Sequence, residues 1–344
     1  MGARIKGRGS SGCLPGRFEA CVTRVVDDGW HGIEEEEFAA VLPRIQVREE
    51  IARRIISRNS SPEIGFSQSI NSYRGREHGC SCCFARPSHA WLGLSAGLDF
   101  ETRILATTHA PARLRCELAR AGDPPSPIAL GINPDACEPI EHTLQLTRRI
   151  IEVLAKARHR FSLITRNALV TRDLGRFAPL ARDNLVDVRF SETSLDPRLS
   201  VALEPRASAP HPRLRAINAL RDAGVPDGLM VAPVIRWVND SELEAVPEAV
   251  HGAGAESASY VVLRLPHESL APVPRPSADP SAGARRARHE RAAATARAGR
   301  VCRLPERRFA LALRPIGFSP RAPRGLDCSR FIAPRLPSPQ GELF

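Results

Sequence analysis

Between Tyr73 and Trp91 the chain reads "YRGREHGCSCCFARPSHAW". Cys80, Cys82 and Cys83 crowd into four positions, with His78 and His89 close by. Thiolates and imidazoles are the ligands that soft and borderline metals take, so this density points to a metal. The spacing is unusual. Cys80 and Cys83 form C-x2-C, Cys82 sits inside it, and Arg76 stands four residues upstream of Cys80. Cys80, Cys82, Cys83 and a histidine would supply the four N/S ligands that zinc takes, although H-x-C-x-C-C is not a usual zinc spacing. The other six of nine cysteines (Cys13, Cys21, Cys116, Cys137, Cys302, Cys328) show no framework. In a reducing compartment they read as small buried hydrophobes.

Something must hold this loop, and an alternation of elements begins near residue 65. "SINSYRG" reads as a strand entering the loop. "PIALGIN" (127–133), "FSLITR" (161–166), "LVDVRFS" (185–191), "GLMVAPVI" (228–235) and "SYVVLRL" (259–265) read as buried strands. Between them lie helical patterns. In 143–159, Leu146, Ile150, Val153 and Leu154 share one face. "RDLGRFAPLARDN" is a helix that Pro179 shortens, and 211–224 is a helix that stops at Gly224. Asn239 and Glu242 stand at capping-box spacing, and Pro247 should kink or interrupt that helix. Strand and helix repeating about every 30 residues call for right-handed crossovers and a parallel sheet. A barrel and an open doubly wound sheet both fit. In either, a site forms at the C-terminal ends of the strands, where the cysteine loop falls.

Residues 1–64 read as a polar lead-in, with "QVREEIARRIISRN" either a short helix or an extended arm. No apolar run is long enough to span a membrane. The start has no apolar signal region, and Lys6 stands where a myristoylation signal expects Ser or Thr. The expectation is a cytoplasmic protein. Of 49 basic residues only Lys6 and Lys156 are lysine. The net charge is +11, of which residues 269–344 carry +10. That stretch is rich in Arg, Ala and Pro and shows no sustained period, so it reads as a poorly ordered tail. A basic tail invites a nucleic-acid reading, but aromatic residues are not interleaved with its charges.

Seven ordered segments between about residues 50 and 268 carry a resemblance. They include "SPEIGFSQSINSYRG", "CFARPSHAWLGLSAGLDFETRI", "LITRNALVTRDL", "TSLDPRLSVALEPRASAP" and "VLRLPHE". The chain resembles radical S-adenosylmethionine (SAM) proteins, in the bacterial branch related to spore photoproduct lyase. The resemblance implies an α/β fold, a partial (βα)6 TIM-like barrel over 65–268. It implies a 4Fe-4S cluster on a Cys-x3-Cys-x2-Cys motif, with SAM on the open iron and a reductant such as flavodoxin or ferredoxin. SAM would be cleaved reductively to a 5′-deoxyadenosyl radical that abstracts hydrogen from a substrate. Neither the substrate nor a catalytic residue is identified. The lyase proper uses a hydrogen-donor cysteine, for which Cys137 or Cys328 would be a guess.

Laid on this chain, the cluster ligands fall at positions 76, 80 and 83, with Phe84 beside the adenine. Cys80 and Cys83 are present, but position 76 is arginine, which has no lone pair for iron. Cys82, His78 or His89 could substitute, or the protein is an inactive relative. The resemblance also implies SAM contacts at Arg166, Ser191 and Asp135, and a SAM contact or a structural ion pair at Glu204 and Arg206. Pro134, Cys137 and Glu138 depart from the family's Thr, Tyr and Gln. Arg236 and Trp237 stand where it tends to have Pro-Gly. The resemblance stops near residue 269, which suggests a frameshifted or decayed gene.

Overall fold

Six strands run parallel and lie side by side in the order in which the chain makes them. The computed structural model describes Arg8, Ser10 and residues 44–61, 65–120, 125–263, 303–318 and 328–336. Its strands are β1 (Gln46–Glu49), β2 (Ile56–Arg58), β3 (Gln68–Ile70), β4 (Tyr73–Arg74) and β5 (Arg103–Ala106). Then come β6 (Ile128–Leu130), β7 (Phe161–Thr165), β8 (Val186–Glu192), β9 (Asp227–Val234) and β10 (Ser257–Val262). The helices are α1 (Pro87–Ala90), α2 (Leu98–Thr102), α3 (Ala110–Ala119), α4 (Glu141–Leu144) and α5 (Leu146–Lys156). They continue with α6 (Leu174–Arg182), α7 (Pro197–Leu203), α8 (Pro210–Asp222), α9 (Ala245–Ala253) and α10 (Arg303–Ile316).

The main sheet has the order β10-β9-β8-β7-β6-β3-β2, parallel from β3 to β10, with β2 antiparallel at the edge. Sequential parallel neighbours joined through helices wind in one direction, which is the construction of a barrel. β10 and β2 remain unpaired with each other, so the barrel is partial. The α/β partial (βα)6 barrel is therefore the architecture.

The strands bury one face against the helices. Phe161 and Leu163 of β7 and Val186, Val188 and Phe190 of β8 share a core with Ile150, Leu154, Phe177, Ile217 and Val250. Burying each such side chain stabilises by roughly 1.5–3 kcal/mol. The alternate residues, Ser162, Asp187 and Arg189, are partly exposed and bond one another along the other face. Gly131 ends β6 at φ +79, and a Cβ there would stand 2.3 Å from the Ile164 carbonyl oxygen. Only glycine lets the chain turn this closely against β7.

The patterned helix in 143–159 is α5, with Leu146, Ile150, Val153 and Leu154 all buried. α8 ends as expected, with Gly224 at φ +68. Several expectations need correction. "SINSYRG" is two strands, because the chain leaves the barrel after Ile70 and β4 joins a second sheet of order β1-β5-β4. The 46–59 stretch takes the extended one of its two expected forms. β1 pairs with β5 and β2 with β3, so backbone pairing rather than helical periodicity decides it. Asn239 and Glu242 do not make a capping box. Asn239 instead accepts from Ile235 N–H and donates to the Thr193 and Pro233 carbonyls, while Glu242 accepts from Ser194 and Leu195. Pro247 opens α9 in its first turn, where its missing N–H costs no helix bond.

The tail is the largest correction. α10 lies within 303–316 and docks on the barrel, its Phe309 buried with the ring centre 4.9 Å from that of Tyr260. Phe318 meets His251 edge-on at 4.8 Å, and Phe331 meets His159 at 5.3 Å. Residues 264–302, including the point near 269 where the resemblance ends, lie outside the described residues. No helix among the described residues is long and apolar enough to cross a membrane.

Candidate functional site

The cysteine loop leaves β4 through Gly75 at φ +93, and Arg76 N–H donates to the Phe100 carbonyl at 2.8 Å. Arg86 organises the loop from within. It is 1% exposed and donates to the Cys80 carbonyl at 3.2 and 2.7 Å, to those of Ala96 and Gly97 at 3.0 Å, and to Glu101 Oε1 at 2.6 Å. Ser81 N–H donates to the Leu203 carbonyl, and Arg206 N–H to the His78 carbonyl, which pins the loop to the segment after α7.

All three thiols lie within electrostatic reach of the Arg166 guanidinium. Cys80 and Cys83 pack with Ala85 and Phe100, whereas Cys82 packs with Leu199, Leu203 and Ile235. Burial pushes the Cys80 and Cys82 thiols up to about 12, so both are protonated at neutral pH. Arginine meets each of the paired thiols. Arg76 Nη1 lies 3.6 Å from Cys83 Sγ, and Arg166 Nη1 lies 3.6 Å from Cys80 Sγ. His78 is wholly buried, 4.0 Å from Asp135, and burial lowers it to about 4, so it is neutral. His89 bonds the Arg103 carbonyl and packs edge-on against Phe100. Among the described residues, no group of three or more His, Cys, Asp or Glu side chains is placed to hold a metal ion.

Behind the thiols, the ends of β7, β8 and β9 carry a buried polar network. Arg166 donates to Glu204 and to the Ala232 carbonyl, and its N–H donates to Asp135. Asp135 also accepts from Thr165 at 2.6 Å and from Cys137 N–H at 2.8 Å. Ser191 donates to the Ala232 carbonyl at 3.0 Å. Glu204 accepts from Thr193 and Arg213, each at 2.7 Å. Burial alone would raise the Glu204 carboxyl, but Arg166, Arg213 and Thr193 hold it down to about 2. Arg213 reaches further, to Glu192 at 3.0 Å and to the carbonyls of Ser191 and Ser208.

The structure therefore brings Cys80, Cys83, Asp135, Arg166, Ser191 and Glu204 to one end of the sheet. Phe84 stands apart at 54% exposed. Glu204 pairs with Arg166 and Arg213 rather than with Arg206. Arg213 and Glu138 are the residues that sequence reasoning missed as partners. Arg213 lies on a helix whose pattern reads as ordinary surface, so only the fold reveals its burial. Trp237 takes φ +58 in the turn after β9, with the Arg236 guanidinium 4.3 Å above its ring. The left-handed turn is kept with a bulky residue in it, at a cost in strain.

No protein-family model matches the chain. Uncharacterized proteins of Mycobacterium tuberculosis and Mycobacterium bovis are each 36% identical over 202 residues, 58% of this chain. The chain covers 59% of the length of these relatives. Among solved structures, a spore photoproduct lyase variant with bound AdoMet and dinucleoside spore photoproduct aligns with 65% of this chain and 64% of its own. Its identity is 16% and its TM-score 0.48. A radical S-adenosylmethionine methyltransferase from Kitasatospora setae aligns with 57% of this chain and 34% of its own, with 12% identity and a TM-score of 0.41. By its own strand order the chain is a partial (βα)6 barrel, and in sequence it is similar to uncharacterized mycobacterial proteins.

Proposed function

We propose that this chain is a radical SAM-type protein of the branch related to spore photoproduct lyase, with its cluster site disabled at one ligand. The ordered segments from 50 to 268 and the partial barrel support the ancestry. The cysteine loop stands at the C-terminal face of that barrel, where such a cofactor would be held. One observation carries the loss. The guanidinium of Arg76, at the place of the first cluster cysteine, is buried against Cys83 at 3.6 Å. It has no electron pair for iron and brings a positive charge to the ligand position.

The residues present do not fit a cluster held by three thiolates. Cys80 and Cys83 pack with Phe100, whereas Cys82 packs with Leu199 and Ile235, and among the described residues no three such groups are placed to hold a metal ion. The groups expected to contact SAM are engaged with protein neighbours: Arg166 with Glu204, Ser191 with Ala232, Asp135 with Thr165. Hydrogen abstraction is therefore not assigned to this chain. The conclusion is a cluster-deficient barrel in which the former cofactor face has become a buried guanidinium–thiol–carboxylate network.

The test is iron and sulfide per chain after anaerobic reconstitution with ferrous iron and sulfide. Little iron is expected. About four irons per chain, the content of a 4Fe-4S cluster, would overturn the reading and make Cys82 or a histidine the third ligand.

A further inference from the structure

A buried guanidinium needs polar neighbours, and the turn after β6 brings a carboxyl group to it. Glu138 is wholly buried, with Oε1 3.8 Å from Arg76 Nε. The same carboxylate accepts from Glu77 N–H at 3.0 Å and from Asp135 N–H at 3.3 Å. It therefore touches the cysteine loop on one side and the β6 turn on the other, with Arg76 between the carboxylate and Cys83. Arg76 Nε is buried without a hydrogen-bond partner, and Glu138 Oε1 at 3.8 Å is the acidic oxygen that stands beside that end of the guanidinium.

We propose that Arg76 and Glu138 form one clamp that closes the cysteine loop onto the β6 turn and takes over the fastening that a metal–thiolate bond would give. The pair works as a unit. A buried charge that loses its partner is far more costly than a pair removed together. Arg76→Cys alone would restore a thiol but leave Glu138 as a stranded buried carboxylate beside it. Glu138→Gln alone would strand the guanidinium. Replacing both removes both charges, and the glutamine oxygen still accepts from Glu77 N–H. The part of this proposal that concerns iron rests on the reading of the chain as a cluster-deficient radical SAM barrel; the part that concerns the clamp does not.

The experiment is a double-mutant cycle on the full chain: unmodified, Arg76→Cys, Glu138→Gln and the double variant. Urea midpoints are measured on chelator-treated, iron-free protein at pH 9.5, above the Glu138 titration that burial pushes up to about 8. Iron is then measured after reconstitution. The expected result is non-additivity: the urea midpoint of the double variant stands higher than the two single effects added together predict. The double variant should also bind more iron than Arg76→Cys alone. Additive effects would overturn the clamp. If Arg76→Cys yields no folded protein, a soluble double variant supports the clamp and an insoluble one overturns it. Coupled stabilities with little iron in the double variant uphold the clamp and count against an otherwise intact cluster site. Iron in the unmodified protein counts against the cluster-deficient reading alone, because the clamp is judged by the stabilities.

Discussion

Arg213 donates through Nη2 to Glu204 Oε2 over 2.7 Å, and solvent reaches neither side chain. The same guanidinium holds Glu192 and two carbonyls, so one residue of α8 closes the ends of β8 and the segment after α7. Arg213→Met should cost about 3–5 kcal/mol, because it leaves two buried carboxylates short of a partner. Arg213→Lys should recover only part of this, since an ammonium cannot span four acceptors in a plane. Urea denaturation checks both variants; a loss below about 1 kcal/mol for Arg213→Met would count against the network.

Cys82 is predicted to be a packing residue. In the Arg76→Cys, Glu138→Gln background, Cys80→Ala and Cys83→Ala should each abolish iron binding after reconstitution. Cys82→Ala should leave the iron content unchanged and cost about 1 kcal/mol of stability. A loss of iron with Cys82→Ala would make that thiol a ligand and would require the loop to refold.

Asp227 gives the stability a pH dependence. It opens β9, and burial with the nearby Glu256 pushes its carboxyl up to about 7 from an ordinary 3.8. The folded state therefore holds this proton more tightly than the unfolded state. The stabilisation is fully present below about pH 4 and is lost as pH rises through 7. Asp227→Asn should be more stable than the unmodified protein at pH 8, by roughly 2–4 kcal/mol, and similar to it near pH 4. Urea midpoints across that range would show the two curves diverging; parallel curves would refute the assignment.

Phe309 tests whether the C-terminal part belongs to the fold. It is buried and packs on Tyr260 of β10. Phe309→Ala should lower stability by about 3–4 kcal/mol. It should also speed amide hydrogen exchange in α10 and in α9, against which α10 packs. An unchanged urea midpoint would mean that α10 contributes nothing to the barrel.

Much of the barrel was legible in the residues themselves. Apolar runs of β-branched and aromatic residues gave five of the six parallel strands, and Leu146, Ile150, Val153 and Leu154 gave the face of α5. The departures came where tertiary pairing competes with local pattern. β1 and β2 are polar arms whose conformation is decided by the backbones of β5 and β3, and a proline- and arginine-rich stretch hid an amphipathic helix. Asn239 and Glu242 had capping spacing, yet unpaired carbonyls and N–H groups nearby were better partners than the helix end.

At the site, the sequence determined the chemistry that is possible: two cysteines at C-x2-C spacing and, at position 76, a side chain that cannot bind iron at any pH. Those are properties of single residues and need no coordinates. The tertiary structure decided which groups share a space. It packed Cys82 against Leu199 and Ile235, set Arg166 against Cys80, and placed Glu138, 62 residues downstream, beside Arg76. The energy of a buried charge depends on what stands within a few ångströms of it, and that is fixed only when distant segments pack.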